Sequence, residues 1–170
     1  PRLHSAAFAE GDPRAMAAVV ETDVAIIGAG PVGLFAVFEC GMLRMKSVVI
    51  DALEEIGGQC SALYPEKPIF DIPAHPEIAG ADLVEALRKQ AAPFTPLMLL
   101  GRRVERLTQS AGGFELGTSE GDTVRCKAVI IAAGAGAFGP NRPPLEGLAS
   151  YEATGAVRYM VTRREEFRGK

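Results

Sequence analysis

The segment Gly28-Ala29-Gly30-Pro31-Val32-Gly33 lies between two short apolar runs, Val24-Ala25-Ile26-Ile27 before it and Ser47-Val48-Val49-Ile50 after it. A short continuous apolar run that ends in glycine suits a strand buried on both faces, as the strands of a parallel sheet are. From Pro31 to Met45 the residues Val32, Leu34, Phe35, Val37, Phe38, Met42 and Leu43 recur at helical spacing. Strand, glycine loop, helix and strand within about 30 residues make one βαβ unit with a right-handed crossover. The unit predicts an α/β chain of Rossmann-like type, built on a parallel sheet with helices.

A G-x-G-x-x-G run is weak evidence alone and strong when a strand precedes it and a helix follows. Gly28 permits a tight turn out of the strand, Gly30 lets the backbone approach a pyrophosphate with no Cβ in the way, and Gly33 lets the helix lie close to the strand. The helix beginning at Pro31 then offers free N–H groups and a partial positive charge to a diphosphate. Asp51 stands at the end of the second strand, about 20 residues beyond the loop, where a carboxylate accepts hydrogen bonds from both hydroxyls of an adenosine ribose. A carboxylate there also repels a 2′-phosphate, so the site is expected to take FAD or NAD rather than NADP.

The 170 residues, 48% of them hydrophobic, suffice for one domain with a sizeable core. A net charge of -3 gives no overall basic face, which argues against nucleic acid as partner. Arg102-Arg103 and Arg163-Arg164 are small basic pairs, read here as solvated surface. Three cysteines, Cys40, Cys60 and Cys126, are too few and too widely spaced for a disulfide framework or a zinc site, which points to a reducing compartment. No stretch has the apolar length of a membrane span, and the expected location is the cytoplasm.

Residues 1–21, rich in alanine and broken at Gly11-Asp12-Pro13, read as an extension of low order. From Gly57 to Pro76 four prolines prevent a long helix, and a loop of that length commonly lines a site. Ala81 to Ala92 returns to a helical pattern. Leu97–Leu100, Val104–Thr108, Phe114–Thr118 and Thr123–Ile131 read as short strands, the middle ones forming a small antiparallel β-meander, and Ala128–Ala132 reads as another buried apolar strand.

Two features favour FAD over NAD. Gly57-Gly58-Gln59 follows the second strand closely, and the apolar strand running into Ala132-Ala133-Gly134 resembles the second FAD motif of flavoproteins, with Ala133 where threonine is usual. The run Gly57-Gly58-Gln59-Cys60-Ser61-Ala62-Leu63-Tyr64-Pro65-Glu66-Lys67, then Ile69-Phe70-Asp71, and later Ala133-Gly134-Ala135-Gly136-Ala137-Phe138, resembles the thioredoxin-reductase-like ferredoxin–NADP⁺ reductases from about Thr22 to Lys170. That resemblance implies the FAD-binding half of a flavoprotein with two dinucleotide-binding domains, a homodimer passing electrons between NADPH and ferredoxin or flavodoxin. Carried onto matching positions, it puts Asp51 on the ribose, Gln59 and Tyr64 at the flavin end, Val104 at the adenine through its backbone, and Phe138 along the FAD site. The family usually has glutamate where Asp51 stands. It further implies an FAD-binding domain over 22–160, without its C-terminal return segment, and the start of a linker to an NADPH domain over 161–170.

Two alternatives remain. Cys60 follows Gly-Gly-Gln, where disulfide reductases place a redox cysteine, but Pro65 occupies the place of the second one. The thioredoxin reductases proper carry their cysteine pair in the NADPH domain, so this does not exclude them. The other alternative is a non-catalytic FAD-binding module.

Overall fold

The computed structural model describes residues 9–10, 19–136, 142–159, 161 and 163–169. Two strands, β1 (Ala9–Glu10) and β2 (Val19–Glu21), fall within 1–21, where an extension was expected. Val19 and Val20 are β-branched and pair in parallel with a strand a hundred residues away, a partner invisible to local reading. The expected βαβ unit follows as β3 (Val24–Ile27), α1 (Pro31–Met42) and β4 (Ser47–Ile50). Helix α1 stops three residues short of Met45 because the Cys40 carbonyl accepts the N–H groups of both Leu43 and Met45, and Arg44 takes a left-handed φ of 59°.

The proline-rich stretch contains a four-residue helix, α2 (Gln59–Ala62), and a short antiparallel pair, β5 (Pro68–Ile69) with β6 (Ile78–Ala79). Helix α3 (Gly80–Ala91) has Asp82 in its first turn and Arg88 and Lys89 in its last, each favourable to the helix dipole. Then come β7 (Leu97–Leu99), β8 (Val104–Ser110), β9 (Gly113–Thr118), β10 (Thr123–Cys126) and β11 (Ala128–Ile131), followed by the short α4 (Leu148–Ala153).

Strands β1, β7, β4, β3 and β11 lie side by side in that order, all parallel. The meander β8–β9–β10 is antiparallel, with β2 added beside β10. The stretch Thr123–Ile131 thus holds two strands in two sheets, and β11, expected as a buried apolar strand over Ala128–Ala132, lies at an edge of the parallel sheet with Ile131 exposed. The chain changes sheet at Lys127, where the Lys127 and Ala128 N–H groups both donate to the Asp23 carbonyl. The Lys127 ammonium and the Lys46 N–H also hold the Asp23 carboxyl below the usual carboxylate range.

Alternation along the parallel strands divides the core in two. Val24, Ile26, Val49 and Met98 pack with Leu34, Val37 and Cys40 of α1 and Val84 and Ala91 of α3. Ala25, Val48, Ile50 and Leu99 pack on the other face with Leu116, Val124 and Cys126 of the meander. The result is a three-layer α/β arrangement of Rossmann-like type, helices on one face and meander on the other. From β3 the chain moves through β4 to β7 on one side and returns with β11 on the other. A topological switch point thus lies between β3 and β11, the place where open parallel sheets bind ligands beyond the strands' carboxyl ends. No helix among the described residues is long and apolar enough to cross a membrane.

Candidate dinucleotide site

Gly28 leaves β3 with φ +109°, and its N–H donates to the Ile50 carbonyl at 2.8 Å. A Cβ here would stand 2.3 Å from the Ala132 carbonyl oxygen at the end of β11, so only glycine turns in this space. At Gly33 a Cβ would stand 1.8 Å from the Gly28 carbonyl oxygen, which is how closely α1 rests on the loop. Gly30 is different: nothing lies within 4 Å of the place a Cβ would take. Open space thus borders the backbone at the start of α1, where the N–H groups of Val32 and Gly33 have no acceptor within the helix. No side chain caps that end, Pro31 has no N–H to satisfy, and the first turn carries no acidic residue. An uncapped helix start of this kind, open to the outside, suits an anion.

Asp51 holds the glycine loop from within the protein. Its Oδ2 accepts the Ala29 N–H at 2.6 Å and its Oδ1 the Leu53 N–H at 2.8 Å. The carboxylate therefore ties the glycine loop to the end of β4, and its two oxygens, with about four lone-pair positions, retain acceptor capacity for ligand hydroxyls. Gly57, distant in sequence, donates its N–H to the Ala29 carbonyl at 2.8 Å, and a Cβ on Gly58 would lie 3.3 Å from the Gly30 Cα. The Gly57-Gly58-Gln59 segment is thereby seated beside the glycine loop, with Gln59 as the half-buried first residue of α2. Gly28–Gly33, Asp51, Gly57–Gln59 and Ala132–Ala133 all meet at the carboxyl ends of β3, β4 and β11, beside the switch point.

A family model described as pyridine nucleotide-disulphide oxidoreductase matches residues 22–168, most of the chain. The chain belongs to the pyridine nucleotide-disulphide oxidoreductase family. Among relatives, it is 67% identical over 152 residues to a ferredoxin–NADP reductase of Granulibacter bethesdensis, covering 89% of this chain and 43% of that protein. A ferredoxin–NADP reductase of Acidiphilium cryptum is 68% identical over 155 residues, covering 91% of this chain and 46% of the relative. The chain spans somewhat under half the length of these relatives. The crystal structure of a thioredoxin reductase from T. acidophilum superposes with a TM-score of 0.59 at 24% identity, over 77% of this chain and 40% of that one, a likeness of fold.

Disulfide chemistry would need accessible cysteines. Cys40, Cys60 and Cys126 are all free and buried. Burial pushes each thiol above its usual range, which leaves little thiolate at neutral pH. The Tyr64 hydroxyl is also pushed up, first by burial and then by the neighbouring Cys60. The half-buried Tyr64 ring packs at the margin of the helix-side core, with the Lys67 ammonium 5.3 Å from its centroid. Cys60, Tyr64, Lys67, Ile69, Phe70 and Asp71 line an open pocket of about 410 Å³. Of the other residues singled out from sequence, Val104 opens β8 and pairs with Thr118. Phe138 lies outside the described residues.

Arg102 corrects an expectation. Read from sequence as half of a solvated basic pair, it is 5% exposed and ion-paired with the 1%-exposed Asp122. A charge partner twenty positions away, across a sheet, leaves no local trace in the sequence. Arg103, its neighbour, is exposed as expected and pairs with Glu105.

Proposed function

We propose that this chain is the FAD-binding part of a ferredoxin–NADP reductase. The observation that carries this reading is the open space over Gly30, with Gly58 beside it and the Asp51 carboxylate bonded to the Ala29 N–H next to it. The high identity to two proteins named ferredoxin–NADP reductase supports it. Gly28, Gly30, Pro31 and Gly33 would hold the diphosphate, Asp51 the ribose, Val104 the adenine through its backbone, and Gln59, Tyr64 and Phe138 the flavin end. When bound, the flavin supplies the conversion between a two-electron hydride and single electrons. This chain's residues bind and orient it. Tyr64, half-buried and packed against the helix-side core, offers a ring as a flat cover.

The reading includes NADPH as hydride source, ferredoxin or flavodoxin as one-electron carrier, and a cytoplasmic homodimer. Its test is the visible absorption spectrum of the intact protein, followed by NADPH-dependent reduction of ferredoxin. Flavin bands, FAD released on denaturation and ferredoxin reduction are the expected results. A colourless protein that takes up no FAD overturns the reading.

A disulfide reductase using Cys60 is disfavoured by residue 65 being proline and by the burial of all three thiols. Replacing Cys40, Cys60 and Cys126 together by alanine in the intact protein is expected to leave NADPH-dependent diaphorase activity within a few-fold of wild type. Loss of several orders of magnitude with folding intact would restore the disulfide reading.

A further inference from the structure

The buried ion pair between Arg102 and Asp122 sits where the meander meets the end of the parallel sheet. Arg102 Nε lies 2.9 Å from Asp122 Oδ2, with side-chain exposures of 6% and 1%. Asp122 belongs to the turn between β9 and β10, which is closed on itself. The Thr118 hydroxyl donates to Asp122 Oδ2 at 2.9 Å and accepts the Asp122 N–H at 3.0 Å, and the Thr118 N–H donates to the Asp122 carbonyl. At the other end, the Arg102 N–H donates to the Asp51 carbonyl at 2.8 Å, and the Gly101 N–H to the Leu53 carbonyl at 2.8 Å. Two residues beyond Arg102 is Val104, whose strand partner is Thr118. One buried pair thus joins a rigid turn to Asp51 and to Val104.

Burying two charges is a poor way to gain stability, since apolar residues of similar volume commonly do as well or better, whereas removing one partner is strongly destabilising. In some proteins a buried ion pair contributes geometry instead, holding the groups bonded to it in one arrangement. We infer that Arg102 and Asp122 are positioning residues for the adenosine half of the dinucleotide, fixing 101–104 and the Asp51 backbone so that ribose and adenine meet a preformed surface. The inference rests on the FAD reading above. It assigns the pair no contact with the flavin end.

The experiment measures binding of FAD, ADP and FMN to the flavin-free intact protein, together with its melting temperature, for wild type, Asp122→Asn, and the double variant Arg102→Met with Asp122→Leu. ADP reports the adenosine half and FMN the flavin half. Asp122→Asn is expected to weaken FAD and ADP binding about ten-fold or more, with FMN binding unchanged. The apolar double variant is expected to melt near the wild-type temperature and still bind ADP weakly, and it serves alone if Asp122→Asn does not fold. Recovery of ADP affinity along with melting temperature in the double variant overturns the inference, because the pair would then only fill space. ADP and FMN affinities falling in parallel overturn it too. A wild type that binds neither FAD nor ADP overturns the FAD reading itself, and is told apart by needing no variant.

Discussion

Gly33→Ala is expected to strip the intact protein of its flavin and to destabilise it by about 3 kcal/mol or more, at the upper end for an overpacked site. The added methyl would stand 1.8 Å from the Gly28 carbonyl oxygen and 2.9 Å from its carbon, both backbone atoms that cannot rotate away. Either α1 lifts from the loop or Gly28 is displaced from the end of β11. Gly30→Ala is the matched control. Gly30 has φ -70° and ψ -178°, open to any L-residue, and no atom lies within 4 Å of the added methyl. It should therefore leave the melting temperature of the flavin-free protein unchanged while lowering its FAD affinity, because the methyl occupies the space assigned to the diphosphate. Thermal melts with and without FAD, with flavin-to-protein ratios, separate the two effects. Gly30→Ala with unchanged FAD affinity would remove the diphosphate from this loop.

Asp51→Ala is expected to lower FAD affinity about a hundred-fold or more, since a hydrogen bond to a charged group contributes roughly 1.5–3 kcal/mol and two are proposed to the ribose. Part of the loss has a second origin. Without the carboxylate the Ala29 and Leu53 N–H groups lose their acceptor, so the glycine loop is less well ordered before any ligand arrives. Asp51→Asn distinguishes the contributions. Its single carbonyl oxygen can accept one of these N–H groups while its amide turns a donor toward the other, so both the loop and the ribose contact suffer. Titration of flavin-free protein with FAD and, separately, with FMN provides the measurement. An alanine variant that retains its flavin through dialysis would remove Asp51 from the site.

The βαβ unit, its glycine loop and Asp51 were legible in the sequence because each rests on local pattern: a buried strand, three glycines at fixed spacing and a helix that starts where they end. The α3 helix and most of the meander were legible for the same reason. What escaped was set by partners far along the chain. Val19 and Val20 become a strand only because Arg125 and its neighbours lie beside them. Ala128–Ala132 reads as a strand buried by its apolar residues, yet it is an edge of the parallel sheet, and Asp23 sets the break before it at Lys127. Asp51 was placed correctly at the end of its strand, but its hold on Ala29 follows from the close approach of β4 and the loop. Arg102 looked like surface because its compensating charge is on another turn. Gln59 was given a place at the flavin end only through resemblance; that its segment lies beside the glycine loop follows from the Gly57 to Ala29 hydrogen bond, which no local pattern reveals.

The pairing of β3 with β11 sets an order of events during synthesis. Val24 pairs with Ala128, so the central strand waits for a neighbour 104 positions later (128 − 24) in the chain. Closing so long a loop is entropically unfavourable and slow compared with forming α1 or the meander hairpins. At ribosomal speeds of about 5–20 residues per second, roughly 5 to 20 s separate the emergence of the two strands. For that interval Ala132 is not yet beside Gly28 and one edge of β3 is unpaired. The loop consequently takes its final form only when β11 docks, and on the FAD reading a nascent chain should gain affinity for the dinucleotide abruptly at that point rather than gradually as the glycine loop forms.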